Sequence, residues 1–258
     1  MKLSCRALVV LLMLMPRLAL PAQDVMVVRD SLPGMRLSWE MVLVPGGTVV
    51  LGTDTVHVES FLIGRTEVPW DLYDVFYLRL DVPRAMRDSV DARLRPSRPY
   101  GAPDRGYGHR GYPAISLTYG ATTRFVTWLS ERSGHRYTVM TDAQWQRAAD
   151  LAFPGGRAAS AQARTADNAD GTTHPVGAGS ADALGLYDLL GNVGEWVMGQ
   201  GDSTWLRGGS FADSASAVHT RSRASQQATW NQTDPQIPKS RWWLSDGPFA
   251  GFRLVRIP

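Results

Sequence analysis

From about residue 152 to the C terminus the sequence carries no long helical period, only turns and short strands, and this limits the fold more than any other feature. Such a chain must bury its apolar surface with few regular elements. The composition shows the means: 16 prolines and 25 glycines to turn the backbone, and nine tryptophans to fill a core. No repeat of fixed period, heptad pattern or low-complexity tract is present.

Regular elements are predicted mainly before residue 152. "MVLVPGGTVVLGT" (41–53) reads as two short strands about a Pro45–Gly46–Gly47 turn, and "VHVESFLIGRTEV" (56–68) alternates like one further strand. Helices are predicted at about 69–80 and 118–133. In the second, Phe125, Trp128 and Leu129 repeat at helical spacing and Gly134 stands at the C-terminal cap. A third, short helix follows the capping box Thr141-Asp142-Ala143-Gln144, with Trp145, Ala148 and Ala149 facing inward. Residues 23–38 read as a short leader. The Arg-, Pro- and Gly-rich connection 84–113 is long enough to be functional or packed on itself.

The N terminus has the pattern of a secretory signal: Lys2 and Arg6, the apolar run Ala7–Met15, then "RLALPAQD" with small Ala22 at the cleavage point. Pro16 and Arg17 end the run short of the about 20 apolar residues that span a bilayer, so no membrane span is expected after cleavage and the chain is expected to be exported. Removing 1–22 takes Lys2, Arg6 and Arg17 from the 27 basic residues and leaves 24, equal to the 24 acidic ones. A balanced chain gives no electrostatic footprint for nucleic acid. The single cysteine, Cys5, leaves with the signal, so an exported chain must hold its loops without disulfides.

One segment poses a chemical question. "GLYDLLGNVGEWV" (185–197) sets Asp188, Asn192 and Glu195 among glycines and large apolar residues, with no basic residue inside it to neutralise the acids. From spacing alone, these carboxylates cap backbone N–H groups in an ordinary turn.

Several stretches, taken in order, resemble the formylglycine-generating enzyme (sulfatase-modifying factor) family: "MVLVPGGTVVLGT", "FLIGRTEVPWDLYDVF", "YPAISLTYGATTRFVTWLSERSGHRYTVMTDAQWQRAA", "HPVGAGSADALGLYDLLGNVGEWV", "LRGGSF" and "GFRLVR". The resemblance runs from about residue 39 to 258. It implies an α+β fold, the family's loop-rich variant of the C-type lectin fold, with little regular secondary structure. "RPYGAPDRGYGHRGYPAIS" and "WNQTDPQIPKSRWWLSDGPFAGFRLV" further resemble a subgroup of exported bacterial members, some of which are structural components of gliding and secretion machinery.

The resemblance assigns calcium to the 185–197 segment. Calcium takes six to eight oxygens, mixing carboxylates with carbonyls. By alignment these are the side chains of Asp188 and Glu195 and the carbonyls of Gly191 and Val193; Gly194 departs from the tryptophan usual in relatives. A second calcium site would fall in "ADNADGTT", using Asn168, the carbonyl of Ala169 and Asp170, where an Asn/Asp/Gly turn is the alternative.

The decisive departure is in "RGGSFADSASAVHTRSRAS". Active relatives carry two cysteines after the Ser/Gly-rich turn, and their thiolates bind copper and attack substrate. Here the first position is Asp213 and the second falls near Val218 or His219, so no copper is expected. The resemblance then implies a binding or structural module of the cell envelope that recognises a protein or peptide partner through a groove. Its floor is placed at 207–223, with Arg207, Ser210, Asp213, His219, Arg221 and Arg223, and its rim at 84–113 and 230–248. An alternative is an oxidoreductase in which Asp213 orients His219 as a base. His57, His109, His135 and His174 have no motif spacing that would complete a metal site with it. A third reading, glycan binding, needs Trp242 and Trp243 exposed; paired tryptophans more often belong partly to a core. The arginines of 84–113 suit an acidic partner or a solvated loop.

Overall fold

The computed structural model describes residues 25–91, 93–156 and 162–258; the expected signal peptide and Cys5 lie outside the described residues. In chain order the strands and α-helices are β1 (Val27–Ser31), β2 (Ser38–Val44), β3 (Gly47–Leu51), β4 (Asp54–Val58), β5 (Phe61–Gly64), α1 (Trp70–Tyr77), α2 (Tyr119–Ser133), β6 (Arg136–Val139), α3 (Asp142–Ala152), β7 (Gly194–Met198), β8 (Thr204–Arg207), β9 (Arg223–Ser225), β10 (Ala250–Gly251) and β11 (Leu254–Ile257). One sheet, antiparallel throughout, has the order β1-β2-β5-β11-β6, so the last strand of the chain lies inside it. A second sheet runs β10-β7-β8-β9, and β3 and β4 form a separate hairpin. Among the described residues no helix is long and apolar enough to cross a membrane.

Local chemistry explains the helices. The Thr118 side chain accepts from Ala121 N–H at the start of α2, and Gly134 ends it at φ +76°, a conformation that favours glycine. The capping box of α3 forms in full between Thr141 and Gln144. α1 is shorter than its pattern predicts, and Arg79 at φ +57° lies just beyond its end.

Two sequence readings change. The stretch 56–68 is two strands, because the chain leaves the β3–β4 hairpin at Glu59–Ser60 to enter the large sheet as β5. The stretch read as a leader supplies β1, which pairs with β2 from Val27↔Val42 to Ser31↔Ser38.

With so few regular elements the core is aromatic. Around α1 and α2, Tyr73 stacks on Phe125 at 5.4 Å, and Phe125 meets Phe252 at 5.3 Å and Trp128 at 5.3 Å. A second cluster gathers Trp145, Phe61, Leu190 and Val197 around α3. Rings of this size each bury roughly 150–250 Å², which lets short elements share a large core.

The 84–113 connection is bolted onto α1. Arg95 is buried, reaches Asp81 at 2.8 Å and the Phe76 carbonyl at 2.9 Å, and lies over the Phe76 and Trp128 rings. His109 stacks on Trp70 at 5.0 Å, with Nε2 2.8 Å from Asp74 and Nδ1 2.9 Å from Asp104. Burial disfavours the charged imidazole, but its hydrogen bonds to Asp74 and Asp104 prevail and hold its pKa above the ordinary 6.5. A raised folded-state pKa contributes stability that is complete below the unfolded value and lost as pH rises through the folded one. The melting-temperature difference between the natural chain and His109→Gln is therefore expected to be largest near about pH 6 and to shrink toward about pH 9, as read by thermal denaturation across that range.

Candidate functional site

The turn ahead of β7 is built from left-handed residues: Asp188 at φ +55°, Gly191 at +84° and Asn192 at +52°. A Cβ on Gly191 would stand 2.4 Å from the Arg164 carbonyl oxygen, so that approach requires glycine. Asn192 fastens the turn: its Oδ1 accepts from His174 N–H at 2.8 Å, and its Nδ2 donates to Glu67 Oε2 at 3.0 Å and the His174 carbonyl at 3.2 Å.

The acids of this segment do meet a basic residue, from outside it. Glu195, fully buried, accepts from Arg253 Nε at 2.7 Å through Oε1 and from Trp145 Nε1 at 3.1 Å through Oε2. Arg253 also donates to the carbonyls of Gly64 at 3.0 Å and Tyr187 at 2.7 Å. A further buried acid, Glu67, takes the Val193 N–H at 3.1 Å. Asp188 accepts from Gly177 N–H at 2.8 Å through Oδ2. Arg253 thus acts on three buried carboxyls, with Arg164 and His174 also acting on Asp188. Burial, reinforced by the charges of Asp188 and Glu195, drives the Glu67 carboxyl well above the ordinary range. Burial also raises Asp188 and Glu195, the latter against the pull of Arg253.

As calcium ligands these residues fit in part. Asp188 directs one carboxylate oxygen at Gly177, and both oxygens of Glu195 already take protein donors. Among the described residues no three His, Cys, Asp or Glu side chains gather as a metal site. A calcium ion would have to share Glu195 with Arg253 and draw its other oxygens from Asp188 and the carbonyls of Gly191 and Val193.

At the second expected site the residues close a turn. Asn168 Oδ1 accepts from Thr165 N–H at 2.8 Å and its Nδ2 donates to the Ala163 carbonyl at 3.0 Å. The Ala169 carbonyl accepts from Thr172 N–H at 3.1 Å and lies 3.1 Å from His174 Nε2, while Asp170 is exposed at φ +54°.

The groove exists, with different walls. A cleft of about 600 Å³ brings together Ser210, Asp213, His219, Arg221 and Arg223, as expected. Gly194, Leu206, Ala224, Trp230 and Phe249 complete its lining beside the 209–223 segment; of the expected rim, Trp230 is the one described residue of 230–248 that reaches it, and no described residue of 84–113 does. Arg207 lies beneath it, fully buried, 3.1 Å from Asp142 and over the Trp145 ring at 4.3 Å; burial pulls its pKa down to about 10. Trp242 and Trp243 are core residues, 3 % and 4 % exposed, and Trp243 donates to the Ser97 carbonyl at 2.8 Å, so they offer no glycan platform. Asp213 Oδ2 accepts from both the N–H (2.9 Å) and the hydroxyl (2.8 Å) of Ser210, while His219 Nδ1 accepts from Arg221 N–H at 3.1 Å. The carboxylate that would orient His219 is thus turned to Ser210, and the ring nitrogen it would hold faces a backbone amide.

Glu67, Arg253 and Phe249 escaped the sequence reading. Glu67 and Arg253 had a signal, each a charge inside an apolar stretch ("FLIGRTEVPW", "GFRLVR"). Replacing Arg253 by Met strands the Glu195 charge in the core and is expected to cost about 3–5 kcal/mol in denaturant unfolding, with Arg253→Met/Glu195→Gln recovering a large part of it.

Comparison with known proteins places these features. No curated protein matches the chain. Among solved structures, Treponema denticola variable protein 1 superposes with a TM-score of 0.62 at 19% identity, covering 90% of this chain and 99% of that one. PvdO from Pseudomonas aeruginosa superposes with a TM-score of 0.58 at 20% identity (85% and 94% covered), and CarF with 0.58 at 21% (85% and 98% covered). At such identities the likeness shows the fold alone. Residues 33–257 match the sulfatase-modifying factor enzyme 1-like domain. The chain therefore belongs to the sulfatase-modifying factor family, has its α+β, C-type-lectin-like fold, and lacks the cysteine pair of its active members.

Proposed function

We propose that this chain is an exported, calcium-stabilised, non-catalytic member of its family that acts as a binding or structural module of the cell envelope and recognises a protein or peptide partner through the cleft beside β9. One observation carries this reading. The cleft is open at about 600 Å³ and lined by polar and aromatic side chains, yet the positions that need thiolates hold Asp213, closed onto Ser210, and buried Val218 beside His219. No oxygen side chain replaces thiolate as the soft ligand of copper(I) or as the sulfur nucleophile. The oxidoreductase alternative loses support because Asp213 and His219 are each engaged elsewhere.

Calcium enters through charge. Glu67, Asp188 and Glu195 are buried beside the 185–195 turn, where burial pushes their carboxyls toward the neutral form, and a bound divalent cation would favour the ionised form and tie the turn to the sheet. Two measurements test the proposal. Calcium at about 100 times its Kd is expected to stabilise the processed chain by about 2.7 kcal/mol, an effect reversed by chelator. A flat calorimetric titration together with an unchanged melting temperature would remove the metal. Incubated with copper and a cysteine-bearing peptide, the processed chain is expected to make no aldehyde; a new aldehyde would overturn the non-catalytic reading.

A further inference from the structure

His109 is bonded in a way that calls for a proton on each ring nitrogen. Its Nε2 lies 2.8 Å from Asp74 Oδ2 in α1, and its Nδ1 lies 2.9 Å from Asp104 Oδ2 in its own loop. A neutral imidazole carries one N–H and one lone pair, so it can donate to one of these carboxylates and must turn a lone pair toward the other; the imidazolium donates to both. The other charged groups around it have partners of their own. Asp71, one turn earlier in α1, accepts from Gly111 N–H at 2.6 Å and lies 3.7 Å from Arg110. Arg105 donates to the carbonyls of Leu244 and Ser245, and Tyr77 at the end of α1 interacts electrostatically with Arg98 and Asp74.

This arrangement reaches the cleft through Tyr107. Between Asp104 and His109 the chain turns tightly, with Arg105 at φ +56° and Gly106 at +74°, closed by Tyr107 N–H on the Asp104 carbonyl at 2.9 Å and by Gly106 N–H on Asp104 Oδ1 at 3.0 Å. The Tyr107 ring meets Phe211 edge-to-face at 5.6 Å. Phe211 is 4 % exposed and donates its N–H to the Asn192 carbonyl at 2.9 Å, and its chain neighbours Ser210 and Ala212 line the cleft. One turn is thus joined to α1 through His109 and supports the 210–212 wall through Tyr107. Glycines bracket it as hinges: Gly106 and Gly111 are both left-handed, and among the described residues open space surrounds the position a Cβ would take on either.

We infer that His109 is a proton-operated latch on the cleft: charged, it bridges Asp74 to Asp104 and holds Tyr107 against Phe211; neutral, it releases one carboxylate, and the 104–109 turn lets go of the 210–212 wall. The inference rests on the proposed reading of the cleft as a recognition site and adds a control to it. Burial opposes charge on the ring and the two carboxylates overcome it, which places release above the ordinary 6.5. Partner binding is therefore favoured on the acid side of that midpoint, where the wall is held, and weakened on the basic side.

In the full chain, the His109 ring and the amides of Ser210, Phe211 and Ala212 are followed by NMR from about pH 5 to about pH 10. The amides are expected to shift with the midpoint of the His109 ring. Asp104→Asn removes one carboxylate and is expected to lower both midpoints together, by about one pH unit. Tyr107→Ala is expected to leave the ring titrating while the linked amide shift is lost. His219 and His174 are the other imidazoles near these amides, and the linked component is the one whose midpoint moves in Asp104→Asn. Amides that stay still across the His109 titration, or a midpoint that does not follow the ring in Asp104→Asn, would overturn the latch. Displayed linear peptides panned on either side of the midpoint separate the two claims. Linked shifts with no peptide selected at either pH sink the recognition reading and leave the latch, whereas selected peptides held equally at both overturn the control of binding.

Discussion

The guanidinium of Arg253 holds the architecture together. It is fully buried, and its donors reach Glu195 in β7, the Gly64 carbonyl at the end of β5 and the Tyr187 carbonyl in the turn between. One side chain from the segment leading into β11 thereby ties the large sheet, the second sheet and the turn that carries Asp188 and Asn192. A buried ion pair is a poor source of net stability, because desolvation offsets most of the attraction. Its value here is positional, since any other docking of β7 would leave charges of both signs unmatched.

That positional role extends to the loops, which occupy much of the chain and have no disulfide among residues 23–258 to restrain them. Side chains bonded to distant backbone take the place of covalent links. Arg147 donates to the Pro45 and Gly46 carbonyls at 3.0 and 2.9 Å, joining α3 to the β2–β3 turn. Asp182, its carboxyl pushed up to about 6 by burial, still accepts from the N–H groups of Leu184 and Leu186. Asp246 receives the N–H and hydroxyl of Thr233, and Asn231 the N–H of Ser245. Each supplies a partner to backbone groups that lie outside the regular ladders.

What could be read in the sequence was what is decided within a few residues. The α3 capping box spans three peptide units and the Gly134 cap one, so both were visible without tertiary information. The Ser210, Asp213, His219, Arg221 and Arg223 side of the cleft is nearly continuous in sequence and emerged together. The missing parts depend on long-range pairing. Glu195 and Arg253 are 58 residues apart, and Glu67 meets Asn192 from 125 residues away. β1 had no signal of its own, because its identity as a strand depends on the edge that β2 offers. Trp242 and Trp243 read as partly core, and Trp243 packs against Trp70, Tyr73 and Tyr77 in a core whose size short elements alone do not reveal.

The same division between local and distant constraint bears on function. The Gly208–Gly209 turn, at φ +86° and +71°, is fixed by close contacts: a Cβ on Gly208 would stand 2.6 Å from the Leu189 carbonyl oxygen, and one on Gly209 would stand 2.7 Å from Val218. This turn aims the 210–219 segment into the cleft and rests on packing that involves no sulfur. Asp213 then closes the segment by accepting twice from Ser210, a local bond needing neither metal nor thiol. The scaffold can therefore lose the thiol chemistry of its relatives without losing the cleft, because the residues that shape the cleft differ from those that react in it.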